Sequence, residues 1–562
     1  MKPKKYSKRE LTWLVTKEIT PEKLLLARQA LERIKVGDDV FDAIRHHPLP
    51  GGEGFLGKST LVEVYRQIVA SGEWEEDPIM LSKIRLKPMR TLSGVTTVTV
   101  LTKPYPCPGK CIFCPDDVRM PKSYLPDEPG AMRALHHQFN PYKQVKARIE
   151  TLHAVGHPTN KIELLILGGT WSAYRKDYQE WFIKRCFEAM NEEYIFDRGE
   201  TDNEGKQSIF KEHIGDDDCI NSLEELQNIN ESSKHRNVGL VVETRPDQVD
   251  LDEIAWLRYL GVTKIQMGIQ SLDDHILKIN QRGHTVERTK KAVALLRAAG
   301  FKVVIHWMPN LFGATPESDK QDFARIWDLL APDEIKIYPT QLLSGTALHD
   351  LWEDGKFEPY STKTLVSLIA DIKPTIPYYC RVNRVVRDIP STHVVAGNKR
   401  TSLRQDIQRE LKRRGQTCGC IRCREIRGHP VQLNELNLND LVYFSGGAEE
   451  HFLSWTTLDN RLAGFLRLSL PGPDSPDTEL KELEKAAIIR EVHVYGQSLE
   501  VGDIKDGAAQ HAGLGSLLLE KAEEIAKSHK YRRIAVISAV GTRGYYIDRG
   551  FERGKYYLTK DL

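Results

Sequence analysis

The stretch "KPYPCPGKCIFCPDD" (residues 103–117) contains three of the nine cysteines of this chain. Cys107, Cys111 and Cys114 follow the spacing C-x3-C-x2-C. Three thiolates on one tight loop can bind three irons of a four-iron, four-sulfur cluster and leave the fourth iron open for an external ligand. A zinc site would usually need a fourth ligand nearby, and the next histidine after the loop is His136. The spacing therefore predicts an iron–sulfur loop.

The residues around this loop alternate between strand-like and helix-like patterns. The strand-like run "VTTVTVL" (95–101) precedes it, and apolar runs such as "KIELLILGGT" (161–170) alternate with amphipathic runs such as "VERTKKAVALLRAAG" (286–300) up to about residue 340. This rhythm predicts a parallel sheet, either open or closed into a barrel. Ligands bind at the carboxyl ends of such strands. The residues expected there are Gly168, Glu243, Gln270, Met308 and Tyr338.

A second cysteine cluster, in "CGCIRC", has a different spacing. Cys418, Cys420 and Cys423 follow the pattern C-x-C-x2-C. A fourth ligand would close a sulfur-rich tetrahedral site, which is typical of structural zinc. We favour Cys380 over His429 as that ligand, and a second iron–sulfur cluster is the alternative for the whole site.

The composition bounds the class of protein. The chain has 562 residues and a net charge of only +2, without an apolar run of about 18 residues that would predict a membrane span. An odd number of mostly clustered cysteines favours metal binding in a reducing, cytoplasmic location over a disulfide framework. The basic segments 1–35, 79–103 and 399–414 contrast with the acidic segment 197–236. They suit a phosphate-binding face, although solvated surfaces would give the same pattern.

The C-terminal region has the pattern of a second α/β unit. The run "QHAGLGS" (510–516) precedes an amphipathic helix, and its glycines would let a pyrophosphate approach the backbone N–H groups at the helix start. A strand-like run, "REVHVYG" (490–496), comes before it, and "GTRGYYIDRGFE" (541–552) comes after it. The order of these runs predicts a binding site for a phosphorylated cofactor.

The cysteine loop and the strand ends together resemble the radical S-adenosylmethionine superfamily. In that family the methionine group chelates the open iron, and one electron then cleaves the sulfonium to a 5'-deoxyadenosyl radical. The runs "LLILGGT", "VVETRPD" and "GIQS" resemble the turn and strand ends that hold S-adenosylmethionine. The cofactor-binding residues that this resemblance implies are Gly168, Gly169, Thr170, Glu243, Arg245 and Gln270.

The C-terminal runs resemble the acetyl-CoA site of the GNAT acetyltransferase fold. In that fold the backbone of the strand before the glycine-rich turn pairs with the pantetheine, and a tyrosine lies beside the CoA sulfur. The acetyl-CoA contacts that this resemblance implies are Glu491, Val492, His493, Val494, Leu514, Gly515, Ser516 and Tyr546.

The pairing of both modules resembles the catalytic radical-and-acetyltransferase subunit family of Elongator, in a prokaryotic, stand-alone form. That family carboxymethylates carbon 5 of the wobble uridine in tRNA anticodons. The resemblance implies a [4Fe–4S] cluster, S-adenosylmethionine, acetyl-CoA and Zn²⁺. The implied partners are the tRNA anticodon stem-loop and an unknown electron donor, without a membrane. A homodimer is possible from the sequence. Lys161 would be a further acetyl-CoA contact.

We further propose Lys336 and Tyr338, in "KIYP", as catalytic residues that bind the nucleotide or the migrating acetyl group. Tyr546, at the CoA sulfur, is the third catalytic candidate. A purely structural role for this strand end is the alternative. Two other functions compete with tRNA modification: a protein lysine acetyltransferase with a structural iron–sulfur cluster, and a non-catalytic tRNA-binding scaffold. Two complete cofactor motifs disfavour both.

The fold class predicted from these patterns is α/β. It combines a radical-SAM partial TIM-like (βα) barrel with a GNAT acetyltransferase domain, a basic helical N-terminal extension and a zinc-binding bridge. The predicted boundaries are 1–78 for the tRNA-binding N-terminal region, 79–379 for the barrel with an acidic insertion at 197–236, 380–435 for the bridge and 436–562 for the acetyl-CoA domain.

Overall fold

The computed structural model describes residues 19–52, 54–88, 91, 93–192, 221–427, 431–495 and 513–562. Two compact units make up the chain. Of the described residues, those up to 91 and those from 146 to 159 belong to the smaller unit, and the others belong to the larger. Within the described ranges, every helix is too short or too polar to cross a membrane.

Among the described residues, four helices build the N-terminal part of the smaller unit. The hydroxyl of Thr20 caps the first one by accepting a hydrogen bond from the N–H of Lys23 at 3.3 Å, and Pro21 stands at the first helical position, where its missing N–H costs nothing. The helices are α1 (Pro21–Lys35), α2 (Val40–Arg45), α3 (Lys58–Ala70) and α4 (Pro78–Ile84). The described part of the predicted helical N-terminal region is thus helical, and residues 1–18 of that region lie outside the described residues.

The first sheet of the larger unit is an all-parallel, seven-stranded sheet in which each strand pairs with the next in sequence. This order is that of a (βα) barrel left open between its first and last strands, so the predicted partial barrel is confirmed. The strands are β1 (Thr96–Leu101), β2 (Lys161–Leu167), β3 (Arg236–Thr244), β4 (Lys264–Gln270), β5 (Lys302–Trp307), β6 (Glu334–Ile337) and β7 (Arg381–Val385).

Helices separate these strands along the chain and follow the last one. Those before β5 are α5 (Pro129–His136), α6 (Pro141–Ala154), α7 (Lys176–Asn191), α8 (Leu223–Asn230), α9 (Leu251–Tyr259), α10 (Asp274–Ile279) and α11 (Val286–Ala298). Those after β5 are α12 (Pro316–Leu329), α13 (Ala347–Glu353), α14 (Thr362–Ile372), α15 (Leu403–Arg413) and α16 (Ile421–Arg424).

The two faces of the parallel sheet differ in chemistry because side chains alternate along each strand. On the outer face Trp307 packs edge-on against Phe323 of α12, with ring centres 4.9 Å apart. On the inner face His306, the preceding residue, lies 3.2 Å from the amide oxygen of Gln266 on β4. The barrel therefore has an apolar exterior beneath its helices and a polar interior.

Two predicted boundaries differ from the structure. Arg381–Val385 were predicted to belong to the bridge, but they pair with β6 and form β7. They were missed because the inward-facing residue Asn383, which bonds to Glu334 of β6, interrupts the apolar pattern that marks the other strands. Residues 221–236 were predicted to be part of an acidic insertion or mobile loop, but they contain α8 and the start of β3. Leu223 and Leu226 of α8 are buried, which fixes the helix; residues 197–220 lie outside the described residues.

The second sheet is mixed and has seven strands, in the order β13-β14-β12-β11-β10-β9-β8. Its helix α17 (Leu514–Ser528) buries Leu518 and Ala522 among sheet residues such as Leu466 and Ile489. A short helix, α18 (Arg543–Ile547), follows β12. The strands are β8 (Asn437–Ser445), β9 (Ala448–Thr456), β10 (Leu462–Pro471), β11 (Ala486–Val494), β12 (Arg533–Val536), β13 (Glu552–Arg553) and β14 (Leu558–Asp561).

A buried ion network joins the two sheets. Asp333, directly before β6, has 0% of its surface exposed and accepts a hydrogen bond from Arg490 of β11 at 2.9 Å. Arg467 of β10 lies 3.4 Å from the same carboxylate and 2.9 Å from Glu491. Glu450 of β9 accepts from Arg490 at 3.1 Å. Burial alone would raise the pKa of Asp333, but the guanidinium groups hold it well below its usual value.

Removing the carboxylate at the centre of this network should destabilise the larger unit. Asp333→Asn leaves guanidinium charges buried without their partner, so we expect a loss of about 3–5 kcal/mol in the free energy of unfolding, measured from urea denaturation followed by fluorescence. Asp561→Asn is the matched control, because Asp561 is exposed and forms a surface pair with Arg533 at 3.4 Å; its effect should stay below about 1 kcal/mol. Equal effects of the two substitutions would contradict a structural role for the network.

Candidate active site

The first cysteine cluster lies on the loop that follows β1, at the carboxyl end of the barrel. The Cys107 sulfur is 3.5 Å from the hydroxyl of Thr170, which follows β2. The Cys111 sulfur accepts a hydrogen bond from Arg282 at 3.1 Å. The three sulfur atoms of Cys107, Cys111 and Cys114 do not all lie within 4.8 Å of one another. Larger separations between the sulfurs suit a cluster in which each thiol binds a different iron.

A glycine within the cysteine loop lets a buried arginine approach it. A Cβ atom added to Gly109 would lie 2.2 Å from Nη1 of Arg245. The Arg245 guanidinium is held in place because it donates to Asp247 at 2.9 Å and to the carbonyl of Arg282 at 2.6 Å. Gly109 is therefore required for the close approach of loop and guanidinium.

The glycine turn after β2 is equally tight. Gly168 and Gly169 have φ of +142° and +90°, values that side-chain-bearing residues rarely adopt. A Cβ on Gly168 would lie 1.7 Å from the hydroxyl of Thr102, the residue after β1. The predicted turn at Gly168, Gly169 and Thr170 thus brings its backbone against the start of the cysteine loop.

Polar atoms without partners converge at this end of the barrel. Among the described residues, Nη1 of Arg245 and the amide oxygen of Gln270 are buried and make no hydrogen bond. Gln270, at the end of β4, has a φ of +69°, a strained conformation often found at functional sites. A buried donor and a buried acceptor beside a three-thiol loop fit the ribose, amino and carboxylate groups of S-adenosylmethionine.

Glu243, at the end of β3, turns its carboxylate into the barrel. It accepts a hydrogen bond at 2.9 Å from Tyr124, which belongs to the loop after the cysteines. Its other oxygen is 3.5 Å from Nδ1 of His306. Burial, and then the nearby charge of Lys336, hold the pKa of His306 well below its usual value, so this imidazole is neutral.

Lys336, on β6, and Tyr338, directly after β6, continue this polar interior. The Lys336 ammonium donates to the amide oxygen of Gln266 and lies 5.8 Å from the ring centre of Tyr338. The Tyr338 ring contacts His306 edge-on, with centres 5.3 Å apart. Lys336 is 9% exposed, so it faces the barrel interior.

Charged side chains line the opposite, amino-terminal end of the barrel. The Lys264 ammonium lies 2.6 Å from Glu163 and 3.2 Å from Glu334. Burial alone would raise the pKa of Glu163, but Lys264 and then Lys302 lower it to about 2. Lys161, the first residue of β2, lies at this end, far from the cysteine loop, and burial lowers its pKa.

The edge of β11 provides the geometry expected of an acetyl-CoA site. β11 pairs with β10 as far as Val494, but it pairs with β12 only over Ala486–Ile489. In the described part of the chain, no strand pairs with Glu491–His493 on the side that faces away from β10. The Glu491 carboxylate is occupied by Lys302 at 2.9 Å, so this edge offers backbone groups, which suit the amides of a pantetheine.

The start of α17 lies close to a tyrosine. Gly513, the residue before the helix, has a φ of +70°. A Cβ on Gly515 would lie 2.6 Å from the Tyr545 hydroxyl, and Ser516 accepts a hydrogen bond from Arg549 at 3.1 Å. Residues 510–512 of the predicted glycine-rich run lie outside the described residues.

The neighbouring tyrosine has a different environment. Tyr546 is only 7% exposed and packs edge-on against Phe551, with ring centres 5.7 Å apart. Burial raises its pKa above the usual value. The sequence assigned a site role to Tyr546 and none to Tyr545, yet the Tyr545 hydroxyl is the one that reaches the start of α17.

The second cysteine cluster has the compact geometry of a single-ion site. The sulfurs of Cys418, Cys420 and Cys423 all lie within 4.8 Å of one another. The carbonyl of Cys380 accepts a hydrogen bond from Ile421 at 3.0 Å, which brings Cys380 beside the cluster, but its buried sulfur is not within 4.8 Å of all three. His429 lies outside the described residues. Three clustered thiols fit Zn²⁺ with a fourth ligand still to be supplied.

Comparison with known proteins agrees with this arrangement. Residues 105–324 match the radical SAM superfamily model, and residues 332–413 match the model of the radical SAM C-terminal domain. A tRNA uridine(34) acetyltransferase of Dehalococcoides mccartyi is 41% identical over 84% of this chain and 99% of the relative. Elongator complex protein 3 of Danio rerio is 34% identical over 86% of this chain and 87% of the relative.

This chain belongs to the tRNA uridine(34) acetyltransferase and Elongator complex protein 3 family. A solved structure of an archaeal Elp3 from Methanocaldococcus infernus, lacking residues 1–46, superposes with a TM-score of 0.69 at 37% identity, over 84% of this chain and 99% of that one. The expectation of a family enzyme with a radical SAM barrel is confirmed.

Several residues of this family member's site were not found from the sequence. Gln266 and His306 lie on the strands shortly before the predicted strand ends, Gln270 and Met308. Arg282 and Tyr124 lie on connections between strands and helices. The signal for Gln266 was the alternation of Lys264, Gln266 and Gln270 with apolar residues along β4. The signal for His306 was one polar residue within an otherwise apolar run. Arg282 and Tyr124 had no local signal, because only the folded chain brings them to the cysteine loop and to Glu243.

The contact of Gly109 with Arg245 can be tested by a single methyl group. Gly109→Ala should displace the cysteine loop or the guanidinium, because both are fixed by other contacts, and iron retention after anaerobic reconstitution should fall at least about tenfold, a change of about 1.4 kcal/mol. Gly544→Ala is the control, since no atom lies within 4 Å of its added Cβ; its iron content should match wild type. Normal iron content in Gly109→Ala would contradict the contact.

Proposed function

We propose that this enzyme transfers the acetyl group of acetyl-CoA to carbon 5 of the wobble uridine of tRNA, which yields 5-carboxymethyluridine. The observation that carries the proposal is the presence, in one compact unit, of a three-thiol loop at one end of a polar barrel and, beyond the other end, of the β11 backbone at Glu491–His493, which no described strand pairs with on the side away from β10. In the reaction a hydrogen atom is removed from the acetyl methyl group, and the methyl carbon bonds to carbon 5. The hydrogen of carbon 5 then leaves as a proton, and one electron returns to the redox partner that supplied the electron for cleavage of S-adenosylmethionine. Hydrolysis of the thioester frees CoA and the carboxylate.

The carboxyl end of the barrel would hold the radical-forming cofactors. Cys107, Cys111 and Cys114 would bind the [4Fe–4S] cluster, and the Arg282 hydrogen bond would stabilise the negative charge of the Cys111 thiolate. When bound, the cluster and S-adenosylmethionine supply the one-electron chemistry that removes a hydrogen atom from the acetyl methyl group. Arg245 and the glycine turn would orient that cofactor.

Gln270, Thr170 and Glu243 would complete this cofactor site. Gln270 contributes a buried amide oxygen that lacks a partner among the described residues, and Glu243 a carboxylate already oriented by Tyr124. Because the loop, the turn and the strand ends enclose the space between them, they would also exclude water, which a carbon radical requires.

The second sheet would bind acetyl-CoA. The backbone of Glu491, Val492, His493 and Val494 would pair with the pantetheine, and the N–H groups of Leu514, Gly515 and Ser516 would bind the pyrophosphate. Lys161 would add a cation from the amino-terminal end of the barrel. Tyr546 remains our candidate at the CoA sulfur, and the position of the Tyr545 hydroxyl supports a second candidate there.

The interior between these two ends would receive the uridine. Its ring offers two carbonyl oxygens and one N–H, and Lys336, Tyr338 and Gln266 present an ammonium, a hydroxyl and an amide to meet them. A base splayed out from a loop is the form in which RNA bases reach such pockets. The neutral His306 beside Lys336 adds a group that can accept or donate a proton.

The remaining segments would serve the tRNA and a structural ion. Cys418, Cys420 and Cys423, with Cys380 or His429, would hold Zn²⁺ within the basic bridge, and the basic N-terminal region would contact tRNA phosphates. We keep the four predicted domains as our proposal, with β7 added to the barrel. Their boundaries are 1–78, 79–379, 380–435 and 436–562. A tRNA substrate fits a cytoplasmic site of action.

The overall reaction can be tested directly. Anaerobically reconstituted enzyme with reductant, S-adenosylmethionine, methyl-labelled acetyl-CoA and tRNA should place label on carboxymethyluridine after digestion to nucleosides. A tRNA with cytidine at the wobble position is the control and should stay unlabelled. Absence of label on uridine, in a preparation with an intact cluster, would refute the proposal. Label on lysine of added peptides instead would support a protein acetyltransferase.

The role of Lys336 can be separated from cofactor binding. Lys336→Met keeps the stem of the side chain but removes the ammonium, so formation of the labelled nucleoside should fall about 100-fold or more. Cleavage of S-adenosylmethionine and binding of acetyl-CoA should persist, since Lys336 contacts neither site. Lys290→Met, at an exposed lysine paired with Glu287, is the matched control. Equal product from both variants would leave Lys336 a structural residue.

A further inference from the structure

Two histidines and two carboxylates form a cluster on the second sheet and at the end of its helix α17. None of the four belongs to the sites described above. Glu449 and His451 are on β9, Asp440 is on the adjacent β8, and His529 follows the last residue of α17. The ligand atoms of Glu449, His451 and His529 all lie within 4.8 Å of one another. We propose that these three side chains bind a divalent transition metal ion, with Zn²⁺ as the expected occupant, and that Asp440 orients one of them.

The distances within the cluster fit one ion. The Glu449 Oε1 atom is 3.0 Å from Nε2 of His451 and 3.2 Å from Nε2 of His529. Zinc–nitrogen and zinc–oxygen bonds are about 2.0–2.1 Å long, so neighbouring ligand atoms of a tetrahedral site are about 3.3 Å apart. Two imidazoles and a carboxylate suit zinc and its neighbours in the first transition row. Three protein ligands leave the fourth position for water.

Both histidines have their other ring nitrogen engaged in the way that metal-binding histidines require. Nδ1 of His451 lies 2.8 Å from Asp440, and Nδ1 of His529 lies 2.9 Å from the carbonyl of Ile525. The Ser528 hydroxyl donates to that same carbonyl at 2.7 Å, so it does not supply a proton to His529. Nδ1 therefore carries a hydrogen in both rings, and both Nε2 atoms face Glu449, where a metal ion would bind them once they are deprotonated. A carboxylate or carbonyl behind each ring is the usual support of a metal ligand.

The surroundings favour a cation and allow it to enter. His529 is the C-cap of α17, and the unsatisfied carbonyl groups at a helix C-terminus attract positive charge. His451 is 5% exposed, whereas the side chain of His529 is 42% exposed, so the site is anchored in the sheet and open to solvent on one side. A bound ion would tie β9 to the end of the helix whose start is proposed to bind acetyl-CoA.

Metal binding can be measured on the full chain with its cysteine sites present. Equilibrium dialysis against radioactive Zn²⁺ should give one more zinc per chain for wild type than for His529→Gln. His46→Gln, which removes another exposed histidine, is the matched control and should bind as wild type does. Asp440→Asn should keep the site but weaken its affinity about 10- to 100-fold. The zinc lost in His529→Gln should have nitrogen and oxygen neighbours at about 2.0–2.1 Å by X-ray absorption.

The competing explanation is a protonated imidazole held between carboxylates. In that case wild type and His529→Gln would bind the same number of zinc ions with the same affinity, and that result would overturn the proposal. Because His529 is exposed, its replacement should leave the fold intact, which circular dichroism checks. The outcome is independent of tRNA modification, since the variant is judged by bound zinc and not by activity.

Discussion

The arrangement of the larger unit depends on one buried carboxylate. Asp333 stands at the entrance of β6, and the guanidinium groups of β10 and β11 converge on it from the second sheet. An ion pair that is fully removed from water is stable only when every charge finds its partner in good geometry. The two sheets therefore have few alternative relative positions, since a shift by one residue would leave Arg490 or Arg467 buried and unpaired.

This constraint determines which ends of the two proposed cofactor sites face each other. Glu491 is bonded both to Arg467 and, through Lys302, to the amino-terminal end of the barrel. The end of β11 thus continues from residues that contact the amino-terminal end of the barrel, whereas the cysteine loop lies across the carboxyl ends of the strands. The polar layers at Lys264 and at Gln266 lie between them. A group passing from one site to the other would meet ammonium, amide and imidazole groups rather than apolar side chains.

The sequence predicted the parts of this structure that have local signals. Nine strands and helices between residues 160 and 340 were found because their apolar periodicity is strong, and the cysteine spacings separated two kinds of cluster. Two missed strands lack the pattern of a buried strand for different reasons. β7 carries Arg381 and Asn383 on its inner face and so has no apolar run. β8 contains the apolar run 441–444, but most of its residues are exposed, so apolar and polar residues do not alternate along it. Contacts such as those of Arg282 depend on residues far apart in the sequence.

The two cysteine clusters show how spacing and fold share the specification of a metal site. In the second cluster the spacing is shorter by two residues, and the fold brings all three sulfurs within 4.8 Å, as one shared ion requires. In the first, Gly109 leaves room for Arg245, and the three sulfurs do not all lie within 4.8 Å of one another. The number of residues between cysteines sets the reach of each loop, but the arginine that contacts the first loop comes from the residue directly after β3. The fold therefore decides whether the ligands converge on one ion or surround a cluster.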